Sequence, residues 1–127
     1  VDEINRYLSE LEDMLPSSEE EYLDDLVKKR ACEKTIELAI ECAIDICAMI
    51  VSSKKLGVPE DEEGVLTLLE KNRLISKILK EVLSSMKGFR NILVHKYGMI
   101  NDELTYEFLT NHLEDFDLFL KEIKKVI

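Results

Sequence analysis

Apolar residues recur along this chain at steps of three and four rather than two, the spacing that lines one face of a helix. Ile4, Tyr7, Leu8 and Leu11 give a first short helix that should end before Pro16. Ser17 and Ser18 followed by Glu20 and Glu21 supply overlapping capping boxes for a second helix. That helix runs to about Ser52, and its length makes it the spine of a bundle. Ser53 to Pro59 breaks the pattern, and Pro59 ahead of Glu60, Asp61, Glu62 and Glu63 reads as the proline-started, acid-rich first turn of a short third helix, which Gly64 weakens. A fourth helix, from near Leu74 to the middle of the 90s, carries Ile75, Ile78, Leu79, Val82, Leu83 and Met86 inward, with Gly98 as its stop. The fifth opens near Asn101 or Asp102 and places Leu109, Leu113, Phe116, Leu120, Ile123 and Ile127 on one seam. Strand-like alternation and internal repeats are absent, so the fold class is all-α, an up-down helical bundle of four to five helices.

At 127 residues the chain can bury one core, and a single domain over residues 1–127 is expected. No apolar run reaches the roughly 20 residues a membrane helix needs, and the chain does not open on a basic segment followed by an apolar one. A cytoplasmic location with no membrane partner follows as the expectation. Cys32, Cys42 and Cys47 are odd in number and lack C-x-x-C spacing, which argues against a disulfide framework or a zinc site.

A formal net charge of −10 would repel nucleic acid if it were evenly spread. It is uneven: Val82 to Asn101 holds Lys87, Arg90, His95 and Lys96 and no Asp or Glu. This is either a local positive patch or a mostly buried helix with few charges of either sign.

Glu37, Glu41 and Asp45 stand four residues apart on the otherwise apolar second helix and form one stripe. The stripe either faces water or orients an arginine or histidine from another helix, since a carboxylate in apolar company needs a cation. A di-metal carboxylate site would require Glu-x-x-His pairs, which the chain lacks. His112 lies on an aromatic stripe with Phe108 and Phe119 and reads as a packed or edge histidine. Tyr7, Tyr22 and Tyr106 read as core-edge residues with their hydroxyls at the rim.

The remaining constellation crowds Arg90, Asn91, His95 and Tyr97 among Phe89 and Ile92 to Val94. Cleavage of RNA by its own 2′-hydroxyl needs a base for that hydroxyl, an acid for the leaving oxygen and a cation for the developing phosphorane charge. Histidine suits the first two tasks and arginine the third. An arginine followed five positions later by a histidine is, alone, a weak pattern.

The run Gly88-Phe89-Arg90-Asn91-Ile92-Leu93-Val94-His95-Lys96-Tyr97 resembles the R-x4-6-H signature of the HEPN superfamily, in the R-N-x-x-x-H-x-Y form of HepT-like toxins. Chain length, helix order, the acidic second helix with Arg30 and Glu33 ahead of Glu41 and Asp45, and the Ile100-Asn101-Asp102-Glu103 opening of the last helix resemble that family too. The resemblance implies a metal-independent endoribonuclease without a cofactor, acting on cellular RNA beside a minimal nucleotidyltransferase antitoxin. It assigns catalysis to Arg90 and His95, a supporting or RNA-contacting role to Asn91, Lys96 and Tyr97, acidic support to Glu41 and Asp45, and AMP modification by the partner to Tyr97. Lys96 departs from the small residue common at that place. The alternative is a non-catalytic binding module that partners a nucleotidyltransferase.

Arg90 and His95 point roughly 140° apart on one helix, whereas Arg90 and Tyr97, two turns apart, share a face. With one His95 per chain and two proton-transfer sites at the scissile phosphate, a two-fold homodimer with a composite site is expected.

Overall fold

A computed structural model describes the backbone of residues 1–95 and 101–127 and the side chains of residues 1–93 and 101–127. Among these described residues the chain forms seven helices and no strand: α1 (Asp2–Met14), α2 (Glu19–Asp24), α3 (Leu26–Ser53), α4 (Glu62–Lys71), α5 (Lys77–His95), α6 (Asp102–Asn111) and α7 (Asp115–Ile123).

The all-α class holds, but the count exceeds four to five because two expected helices are each divided. Ser18 does cap a helix, its Oγ accepting the Glu21 N–H at 3.2 Å, yet α2 lasts only six residues. At Asp25 the backbone turns extended and the side chain caps again, accepting the Lys28 N–H at 3.0 Å. The long helix therefore starts at Leu26. The second division, at His112 to Glu114, comes without glycine or proline: Asp115, Phe116 and Asp117 donate to the carbonyls of His112, Leu113 and Glu114. These i→i+3 turns tighten the chain while Leu109, Phe116, Leu120 and Ile123 keep their buried places.

Helix α3 is the spine. Ile36, Ala39, Ile40, Ala43, Ile44, Cys47, Ile50 and Val51 are buried along it, and α1, α4 and α5 pack around it with α2 and α6 near its start. Helix α5 contributes Leu79, Leu83, Met86 and Leu93 to the core, but Ile78 points outward and is 67% exposed, contrary to the sequence reading. Ser76, rather than a residue near Leu74, starts α5: its Oγ accepts the Leu79 N–H at 3.0 Å. Glu122 of α7 in turn accepts from the Ser76 N–H and Oγ at 2.7 Å each, tying the end of α7 to the start of α5.

Pro59 does not begin α4. Asp61 caps it, accepting the Gly64 N–H at 2.7 Å, and a Cβ on Gly64 would lie 3.2 Å from Asp61 Oδ1 and 3.3 Å from Pro59 Cβ. Gly64 thus admits the loop onto the cap rather than merely weakening the helix. Asn101 opens α6 by accepting the N–H groups of Glu103 and Leu104. The expected stop at Gly98 lies outside the described residues. No helix among them is long and apolar enough to cross a membrane.

Candidate functional site

Arg90 sits on the last third of α5, where α3 and the first turn of α4 meet it. Its side chain is 11% exposed, and burying a guanidinium to that degree requires a charged partner. Glu62 is that partner. Its carboxylate accepts from Arg90 Nη1 at 3.2 Å and Nη2 at 2.5 Å, the two-pronged geometry that makes arginine–carboxylate pairs specific. The other edge of the guanidinium, Nε and Nη2, donates to Asn91 Oδ1 at 3.2 and 3.0 Å. Hydrogen bonding to Glu62 pushes the Arg90 pKa further above its ordinary value, opposed by burial and reinforced by the fields of Glu62, Glu41 and Glu37.

One turn earlier the arrangement repeats. Lys87 Nζ donates to Glu63 at 2.7 Å and Ser84 Oγ to both oxygens of the same carboxylate. The hydrogen bond from Lys87 is the main reason the Glu63 pKa lies below its usual value, with burial opposing it. Both α5 cations of the described acid-free stretch are therefore neutralised by consecutive glutamates of α4, and among the described residues that stretch is no free positive patch. Glu62 and Glu63 are the residues the sequence reading missed as site members. Their acidity looked like ordinary complementation of a helix N-terminus. The usable signal lay on the other side, since half-buried cations on an acid-free stretch of helix must find carboxylates on a neighbour.

The α3 stripe is divided. Glu41 and Glu37 are half-buried and contribute to the field at Arg90, Glu37 also accepting from Lys34 at 2.7 Å. Asp45 is exposed and its charge acts on Cys42. The direct partner of Arg90 is thus Glu62, with the stripe behind it.

Near the start of α3 a second polar cluster links α2, α3 and α6. Arg30 Nη1 donates to both oxygens of Glu33, and Lys29 to Asp102 Oδ2 at 3.1 Å. Burial raises the Glu33 pKa above its ordinary value, and the Asp102 carboxylate adds to this against the pull of Arg30. Tyr22 is fully buried here rather than at the core edge, and its hydroxyl has no partner among the described residues. Tyr106 does hold a rim position, its hydroxyl donating to the Pro16 carbonyl at 3.2 Å. His112 is the edge histidine expected, closing a column in which Phe89 stacks on Phe108 at 4.0 Å and Phe108 on His112 at 5.1 Å. That column joins α6 to the α5 turn that bears Arg90.

His95 is the last residue of α5; its side chain, and Lys96 and Tyr97 entirely, lie outside the described residues. Cys32, Cys42 and Cys47 are free, and burial pushes the Cys42 thiol up to about 11 and the Cys47 thiol to about 12. No group of three or more His, Cys, Asp or Glu side chains among the described residues is placed to hold a metal ion.

Comparison with known proteins extends the picture. The family model described as ribonuclease HepT-like matches residues 4–123. An mRNA nuclease HepT of Shewanella oneidensis is 37% identical over 89 residues, 70% of this chain and 67% of that protein. A tRNA nuclease HepT of Aphanizomenon flos-aquae is 26% identical over 124 residues, covering 98% and 84%. Among solved structures, the tri-AMPylated Shewanella oneidensis HEPN toxin in complex with its MNT antitoxin superposes with a TM-score of 0.88 at 29% identity, covering 98% of this chain and 92% of that one.

Proposed function

The chain belongs to the HepT-like ribonuclease family, and from that footing we propose that it is a metal-independent endoribonuclease toxin, held in check by a nucleotidyltransferase antitoxin that adds AMP to Tyr97. The observation that carries the reading is the state of Arg90: fully cationic, nearly buried, and held along one edge by the Glu62 carboxylate. The Nε and Nη2 edge is occupied only by the neutral, exposed Asn91. The amide of Asn91 carries no charge to set against the guanidinium, so an RNA phosphate, which does, displaces Asn91 and leaves Glu62 in place. Arg90 is then a pre-aimed phosphate clamp, Glu62 its positioning residue, and Glu41 with Glu37 a more distant acidic support, Asp45 lying outside that group.

His95 removes the proton of the 2′-hydroxyl, whose oxygen attacks phosphorus, and the bond to the 5′-oxygen breaks as that oxygen is protonated. One His95 per chain and two proton transfers favour a homodimer in which the α5 helices of two copies face one another. Lys96 and Tyr97 follow directly on the helix that bears both catalytic residues, which suits them to contact RNA. AMP on Tyr97 introduces a bulky anion beside the residue that must hold phosphate. The Shewanella oneidensis HEPN toxin solved in complex with its MNT antitoxin is tri-AMPylated, which supports this reading.

The test is incubation of purified chain with total RNA in the presence of a chelator. Wild-type protein should cut, and Arg90→Ala and His95→Ala should each be inactive while melting close to wild type. Intact RNA with wild-type protein, alongside retained binding to a nucleotidyltransferase, would establish the non-catalytic binding module instead.

A further inference from the structure

Several cations of this acidic chain are already paired, although Lys28 at the start of α3 is exposed and forms no ion pair among the described residues. Toward the Arg90 end, Lys29, Arg30, Lys34, Lys87 and Arg90 are each committed to a carboxylate. At the opposite end the finish of α3, the turn from α4 into α5 and the finish of α7 enclose a cleft of about 780 Å³. Lys54, Arg73, Lys77, Lys121 and Lys125 line it; all five are exposed, and none forms an ion pair among the described residues. Of its two carboxylates, Glu122 is engaged with Ser76, and Glu70 buries an oxygen that has no partner among the described residues.

Ordinary helix electrostatics accounts for part of this cluster only. Lys54, Lys121 and Lys125 lie at helix C-termini, where a cation is favoured. Lys77 and Lys80 are the reverse: they occupy the first turn of α5, which has no acid to offset them and where the helix dipole disfavours a cation. Arg73 and Lys55 carry left-handed φ values of 60° and 54° just past the ends of α4 and α3. Glycine is the usual occupant of such positions, and another side chain there costs roughly 1–2 kcal/mol. The left-handed φ costs Arg73 and Lys55 whatever their charge, and their place past helix C-termini favours a cation, so the helix field opposes only Lys77 and Lys80 here.

We infer that this end of the bundle is a second RNA contact, an anchor for the phosphate backbone remote from the scissile bond; the inference rests on the RNA-cleaving reading above. Helix α5 leads from one place to the other, and the thirteen residue steps from Lys77 to Arg90 span about 20 Å at 1.5 Å per residue. The α4–α5 seam between them carries Lys77, Lys80 and Ser84 beside Glu63, Glu70 and Glu81, so the two contacts are separate patches rather than one continuous basic track. A chain of net charge −10 repels RNA at long range, and an unpaired cation cluster supplies the local attraction that capture requires. Strand length separates the two contacts, because a trinucleotide covers roughly 10 Å at 3.4 Å per nucleotide and reaches only Arg90.

The test compares wild type with the triple variant Arg73→Gln, Lys121→Gln, Lys125→Gln, all exposed positions, after checking that both melt alike. Binding of a fluorescent 2′-O-methyl RNA of about 30 nucleotides, which resists cleavage, is followed by anisotropy against salt concentration. Three lost phosphate contacts should weaken binding about tenfold or more and reduce the slope of log K on log salt by about 2, at roughly 0.7 per contact on a single strand. Cleavage of a trinucleotide should be unchanged. Wild-type affinity and slope in the variant would overturn the inference, as would equal losses on short and long RNA. So would unaltered RNA binding with loss of a co-expressed nucleotidyltransferase, which would assign this end to a protein. If wild-type protein cuts no RNA at all, the nuclease reading fails by itself, and the anisotropy series still decides the anchor.

Discussion

Replacing Glu62 by glutamine keeps the shape of the Arg90 brace and removes its charge. Breaking a fully buried ion pair costs about 3–5 kcal/mol, and an exposed one about 0–1 kcal/mol. The Arg90 side chain is 11% exposed and that of Glu62 44%, so the pair is discounted well below the buried limit, to about 1–2 kcal/mol. For a chain of this size that lowers the melting temperature by about 3–8 °C. The same loosening removes pre-aiming of the phosphate clamp, and 1–2 kcal/mol at the transition state is about a 5- to 30-fold fall in kcat. KM should fall too, because a negative charge next to the phosphate site disappears and RNA is held more tightly. Initial rates on a labelled RNA over a range of concentrations, with thermal melts in parallel, read all three quantities. A kcat at or above wild type would refute the reasoning: Glu62 would then be a brake that competes with RNA for the arginine.

Glu33→Gln tests the buried cluster at the start of α3. Burial raises the Glu33 pKa above its ordinary 4.5, so its contribution to stability is full below that pH and is lost as pH rises through the folded value; the variant should gain on wild type as pH rises above 4.5, and a constant gap in denaturant melts would refute this. Gly64→Ala should destabilise by about 0.5–1 kcal/mol despite alanine's better helix propensity, since its Cβ crowds Asp61 and the rigid Pro59; a higher denaturation midpoint would show that the cap yields freely. Co-expression with a nucleotidyltransferase partner should add AMP-sized masses to the chain that vanish in Tyr97→Phe, and their persistence would move the modification elsewhere.

Helices and inward faces were legible because burial is written with the period of the helix, as Leu79, Leu83 and Met86 show. Caps were legible where one side chain serves its own turn, as at Ser18 and Asn101. The divisions at Asp25 and His112 were not, since tight i→i+3 turns leave apolar spacing intact. Ile78 illustrates a related limit, since an apolar residue beside a buried stripe reads like a member of it. At the candidate site, Arg90 stood out by its neighbours in the chain. Glu62, twenty-eight positions away, did not, because a pairing between helices leaves no periodic trace.

The left-handed residues Lys55 and Arg73 bear on thermostabilisation. A programme that ranked single substitutions by folding stability would reach for glycine or asparagine at both, and the fold would accept either. Each gain in melting temperature would then erase a charge at the end of the bundle where charges are otherwise unpaired. Selection for rigidity and selection for ligand capture meet at the same two peptide units and pull in opposite directions. With RNA anchored at this end as proposed, variants selected for heat tolerance alone should drift toward weaker RNA capture.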